Sequence, residues 1–175
     1  MPDDPAVKYA GEASAPTGHT ARDLVRYAFC EEMRRLYHAA RGLGDEDLNA
    51  AMPNGANSVG WILAHINGLI RFMAEPIAPG QMAAAGLDES RCVEQREGGP
   101  WYCAGPLAET RERLAERFLA ILDRTPDDRW LARVPEMPPP AWADWPVLMR
   151  VGRPLVDLAT HVGQVSYLRR VLGKR

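Results

Sequence analysis

The sequence predicts an all-α chain folded as a four-helix bundle. Three observations carry this. Four segments repeat apolar residues at intervals of three and four, the spacing that gathers them on one side of a helix. Each segment runs to roughly 18–22 residues, about 30 Å of helix, a length suited to side-by-side packing. No convincing run of alternating apolar and polar residues argues for a strand. The 175 residues fit one domain and can bury a sizeable core without disulfides or metal staples.

Residues 1–18 mix Pro, Gly, Ala, Asp and Ser without periodicity and are expected to form a flexible N-terminal tail, leaving 19–175 as the bundle. The first helix follows Thr20, a good N-cap, and carries Val25, Phe29, Met33, Leu36 and Ala40 on one face; Gly42 or Gly44 stops it. Asp45 to Leu48 suggests a short helical turn, and Pro53-Asn54-Gly55 a loop. The second helix starts after Asn57 or Ser58. It presents Val59, Ile62, Leu63, Ile66, Leu69, Ile70 and Met73, and ends towards Pro76 and Pro79. The short link between these two helices favours antiparallel neighbours.

From Glu75 to Gly105 no periodicity emerges. A connection of that length is unusual in a compact domain and often serves as a lid or crossover. The third helix opens at Pro106 and repeats Leu107, Thr110, Leu114, Phe118, Ile121 and Leu122, until Thr125-Pro126-Asp127 stops it. A second irregular stretch holds Pro135, Pro138, Pro139, Pro140, Trp142 and Trp145. The final helix is best started at Pro154, after Gly152, and ended at Gly173. The alternative is an earlier start near Pro146 with a break before Pro154.

Composition excludes more than it names. The formal net charge is −2, and the basic residues are interleaved with acids, so neither nucleic acid nor an anionic membrane is an expected partner. Lys8 and Lys174 are the two lysines, and the arginine excess reads as coding bias. No apolar run reaches the roughly 20 residues that a bilayer demands. Cys30, Cys92 and Cys103 form no disulfide framework and no C-x-x-C pair, which fits a reduced, cytoplasmic protein. The sequence contains no G-x-S-x-G, no phosphate-binding glycine loop, no H-E-x-x-H and no dinucleotide fingerprint.

Four histidines remain: His19 in the tail, His38 near the end of the first helix, and His65 and His161 within apolar stripes of the second and last helices. Asp157 stands four residues before His161, so the two side chains stack one turn apart on one face. A carboxylate and an imidazole at that spacing, with an imidazole from a facing helix, make three ligands with an open position, a set that suits a catalytic divalent ion. Zinc, nickel, iron(II) and manganese all accept these donors. The same spacing equally describes a hydrogen-bonded Asp–His pair beside a core histidine. Trp61, the long connection and Gln164 would wall a cleft there. Arg169 could meet an anionic substrate, or simply sit at the surface near a helix end. Trp101, Tyr102, Trp142 and Trp145 would cap the pocket or pin the loops. Cys103 has no cation placed to activate it.

The run Asn57-Ser58-Val59-Gly60-Trp61-Ile62-Leu63-Ala64-His65-Ile66, and Leu43 to Asn49 before it, resemble the second helix of the DinB-like superfamily and the link into it. Asp157-Leu158-Ala159-Thr160-His161-Val162-Gly163-Gln164-Val165, followed by Leu168-Arg169, resembles that family's last helix with its His-x-Gly-Gln element. The resemblance implies an up-down-down-up four-helix bundle with a long crossover between helices 2 and 3, often with a divalent metal on three histidines. His65 and His161 match two of those ligands, and Asp157 falls where the third histidine would stand. It also implies relatives that are thiol-dependent transferases or isomerases using bacillithiol or mycothiol. The expected function is thus a metal-dependent enzyme acting on a small molecule, with His65, Asp157 and His161 as ligands and a low-molecular-weight thiol as co-substrate. The competing expectations are a metal-free bundle that binds a small ligand or partner, and a homodimeric stress-response protein without catalysis.

Overall fold

Capping residues set the helix boundaries of the computed structural model, which describes residues 9, 20–83, 89–133 and 144–174. Helix α1 spans Ala21–Ala40. The Thr20 hydroxyl accepts from the Asp23 amide at 3.2 Å, and the Asp23 carboxylate takes the Thr20 amide in return, so two otherwise orphaned donors are satisfied. Gly42, at φ +75°, turns the chain after it. A short helix, α2, spans Asp45–Asn49. Helix α3 spans Val59–Ala74, with the Ser58 hydroxyl accepting from the Trp61 amide at 3.2 Å.

The long connection is not featureless. It contains an antiparallel hairpin, β1 (Val93–Arg96) and β2 (Gly99–Tyr102), with Val93 opposite Tyr102 and Arg96 opposite Gly99. The described residues are therefore mostly helical with a small two-stranded sheet, and the expectation of no strand is corrected. These strands are four residues each and mostly exposed, so they carry no alternating apolar pattern.

Helix α4 spans Ala104–Arg124. It begins two residues before Pro106, which then occupies the third helical position, where an amide would have had no acceptor in any case. Helix α5 spans Val147–Val171 without a break and carries the buried Pro154 inside it. The earlier of the two expected starts is correct, and the expected break is absent. Packing of the first half of α5 against the turn Asp127–Leu131 overrides the proline signal. Gly173, at φ +71°, ends α5 as expected, with the Lys174 amide reaching back to the Arg169 carbonyl.

Helix α5 packs along both α1 and α3, α3 packs along α4, and α1 touches α4 more lightly. The short link between α1 and α3 had suggested that these two are neighbours. Instead both lean on α5, and α2 takes up the link. The core holds Phe29, Met33, Leu36, Ile66, Ile70, Phe118, Leu122, Leu158 and Val165. Phe29 and Phe118 meet edge to face at 4.7 Å. Within the segment read as a tail, Tyr9 is fully buried and stacks on Tyr37 at 5.6 Å. Both phenols donate to the Glu112 carboxylate, and burial first, aided by that carboxylate, holds them protonated. Trp142 and the proline run 135–140 lie outside the described residues, as does His19.

Candidate functional site

Packing of α3 against α5 brings His65 and His161 together. Their rings meet edge to face, 4.8 Å between centroids. One turn before His65, the Trp61 indole lies flat on its imidazole at 5.1 Å, with 10° between the planes. These contacts fix the His65 ring from two sides. Partial burial lowers its pKa below the ordinary histidine value, His161 lowers it further, and Asp157 pulls the other way.

The site lies at the rim of the helical packing. His65 is exposed, and His161 and Asp157 are half-buried, whereas Ile62, Ile66, Leu158 and Val162 fill the buried positions. The expectation that both histidines face inward is corrected on this point. One residue turns a helix by about 100°, so a stripe read by eye does not separate its centre from its edge.

Gln164, one turn after His161, accepts a hydrogen bond from His161 Nδ1 at 2.7 Å. An amide oxygen can only accept, so the proton sits on Nδ1 and Nε2 carries the lone pair. Asp157 pairs with Arg153 at 3.2 Å. Among the described residues, no three His, Cys, Asp or Glu side chains are gathered as a metal would need. The structure thus joins two of the three expected ligands and gives the third a different partner.

Beside the histidines, a cavity of about 560 Å³ opens beneath the hairpin, lined by Asn49, Ser58, Trp61, Arg96, Trp101 and Tyr102 among others. Trp61 is a shared wall, stacked on His65 and also lining the cavity. The Arg96 guanidinium covers the Trp101 ring at 4.2 Å. Trp101 and Tyr102 therefore belong to the pocket wall, while Trp145 precedes the distant start of α5.

Helix α2 holds this wall in place, a role the sequence reading missed. The Asn49 amide donates to the Tyr102 carbonyl at 2.9 Å and accepts from its N–H at 2.8 Å, as a neighbouring strand would. Asp45 accepts from the Ala104 amide at 2.8 Å and so caps α4. The only available signal was an Asn and an Asp in a short acidic helix, and nothing in it named partners about 50 residues away.

Cys103 is buried, and burial together with the Glu94 and Asp45 carboxylates raises its thiol above the usual range. It is a protonated structural thiol at neutral pH. Arg169 does not face a substrate at the histidine site. Its Nη1 donates to the carbonyls of His38, Ala39 and Arg41 at the end of α1. Among the described residues no helix is long and apolar enough to cross a membrane.

No curated protein and no solved structure matches the chain. The family model of the DinB superfamily matches residues 28–165, a span that takes in most of α1, all of α3, the hairpin and α4, and α5 as far as Val165, with both histidines inside it. The chain belongs to the DinB superfamily.

Proposed function

We propose that this domain is a metal-dependent enzyme acting on a small molecule, with His65, His161 and Asp157 as ligands to a divalent ion. The observation that carries this is the meeting of two imidazoles from different helices, with Trp61 between His65 and a cavity. The donor chemistry fits: neutral imidazole and carboxylate suit zinc, nickel, iron(II) or manganese. Gln164 supports it, because a ligating histidine commonly donates its other N–H to an oxygen. Asp157 would have to exchange Arg153 for the ion, and their pair is a half-exposed one of small worth. When bound, the ion would supply Lewis-acid activation of a water or a thiol.

The residues of the chain itself do the rest. Trp61 fixes the His65 ring and separates it from the cavity. The hairpin aromatics and Arg96 would hold an apolar or planar substrate, and a low-molecular-weight thiol would be the co-substrate. Free, buried cysteines are compatible with the cytoplasm.

We also assign an up-down-down-up bundle. Arg169 binds the end of α1, so α1 and α5 finish together. Asn67 binds Leu107, and Gly60 lies against Tyr102, so α3 and α4 start together. The Arg153–Asp157 pair favours a second reading, a metal-free domain that uses the cavity for binding alone.

Elemental analysis of the purified protein separates the two. The first reading expects one equivalent of a divalent metal in the wild type and loss of it in His65→Ala/His161→Ala. Both residues are at the rim, so the variant should melt as the wild type does. Equal, substoichiometric metal in both proteins would end the metal reading.

A further inference from the structure

We propose that the cleft between the C-terminal ends of α1 and α5 binds a small molecule bearing a phosphate group. The inference does not depend on the metal reading. The cleft has a volume of about 770 Å³ and is lined by Arg35, His38, Arg169, Arg170 and Lys174 among others. That volume is within the range of small-molecule sites, about 300–1,000 Å³. No carboxylate is among its lining residues. The whole chain carries a formal charge of −2, yet four cations from two helices and the segment after them converge here, one of the two lysines included.

The cations differ in how they are held. Arg169 is anchored by its three carbonyl contacts at 2.6–3.2 Å, which also satisfy the exposed end of α1. It forms a rigid wall. Arg35 pairs with Glu32 at 2.7 Å, and Lys174 with Asp47 at 3.0 Å. In both, the cation is about half exposed, 48% for Arg35 and 45% for Lys174, while its carboxylate is mostly covered, 14% for Glu32 and 16% for Asp47. The carboxylates hold each cation in place and leave N–H donors on its exposed side, which an incoming phosphate, doubly charged and rich in acceptors, can take. Arg170 makes no ion pair among the described residues and lies exposed at the rim. Guanidinium forks from Arg35 and Arg170 match the spacing of phosphate oxygens. The arginine abundance of the chain says nothing by itself. Its convergence on one concave surface, against the overall sign of charge, is what points to an anion.

The test is a titration of the full chain with pyrophosphate at low ionic strength, followed by two-dimensional NMR and calorimetry. Saturable shifts are expected at His38, Ser166 and Gly173. Arg35→Ala/Arg170→Ala should weaken binding about tenfold or more, since each charge-assisted hydrogen bond contributes on that scale. Arg133→Ala, remote from the cleft, should not. Both cleft arginines are exposed, and a melt of the double variant matching the wild type shows that the fold is intact. Shifts no larger than those from chloride at equal ionic strength would overturn the proposal, as would unchanged affinity in the double variant. Binding to vesicles of anionic phospholipid without binding of free pyrophosphate would overturn it too.

Discussion

Two glycines of α3 should respond to alanine with opposite signs. A Cβ built on Gly60 would stand 2.5 Å from Tyr102 Cβ, 2.6 Å from Cγ and 2.7 Å from Cδ2. Carbon atoms rest at about 3.5–4.0 Å, so the overlap is about 1 Å. Rotating the tyrosine ring cannot relieve it, because Cβ belongs to a backbone that Asn49 clamps on both its N–H and its carbonyl. The hairpin must back away from α3. Overpacking of this kind costs about 1–3 kcal/mol, and the better helix propensity of alanine offsets about 1 kcal/mol of it. The expected net loss for Gly60→Ala is up to about 2 kcal/mol, or up to about 8 °C in Tm for a chain of this size. Gly68 is exposed on the same helix and has no atom within 4 Å of its would-be Cβ. Gly68→Ala should therefore gain about 0.5–1 kcal/mol. Paired thermal and urea melts measure both, with m unchanged if the denatured state is unaffected. If Gly60→Ala gains stability as Gly68→Ala does, Tyr102 is not seated on α3, and the pocket wall has been placed wrongly.

Thr20→Ala should cost about 1 kcal/mol by removing the N-cap of α1, read by urea denaturation. The Asp23 half of that box is also sensitive to pH. Its hydrogen bonds to Thr20 lower the carboxyl pKa below 3.8. Its contribution is full above that ordinary value and is lost as pH falls through the lowered one. The stability gap between wild type and Asp23→Asn should thus close in acid, and a gap constant from pH 6 to pH 2 would contradict the cap. Tyr9→Ala removes a fully buried ring stacked on Tyr37 and should cost about 3 kcal/mol. A loss within error of zero would mean that Tyr9 does not dock there.

The helices were legible because their signals are local. Thr20 and Ser58 as caps, Gly42 and Gly173 as stops, and the spacing of apolar residues between them need no distant partner. The hairpin had a local signal too, the adjacent Gly98 and Gly99, both at positive φ. It went unread because the strands flanking it bury little beyond Tyr102. Pro154 shows the opposite failure, a strong local signal that packing of the surrounding helix outweighs. At the site, residue types were readable and geometry was not. His65 and His161 were named from their stripes. That their rings touch, that Gln164 holds one of them and that Arg153 holds Asp157 depend on how α3 and α5 pack. Asn49 and Asp45 were invisible for the same reason.

The clamp of Arg169 on α1 also sets an order of events. Arg169 and His38 stand 131 residues apart, so their contact closes a loop that takes in most of the chain. The entropy of closing such a loop must be met before the contact returns anything, and separations of this length slow folding. During synthesis, α1 emerges first of the long helices, yet the group that satisfies its last carbonyls is made near the end of the fifth. Until the last helix is in place, the end of the first has only water to bind its carbonyls.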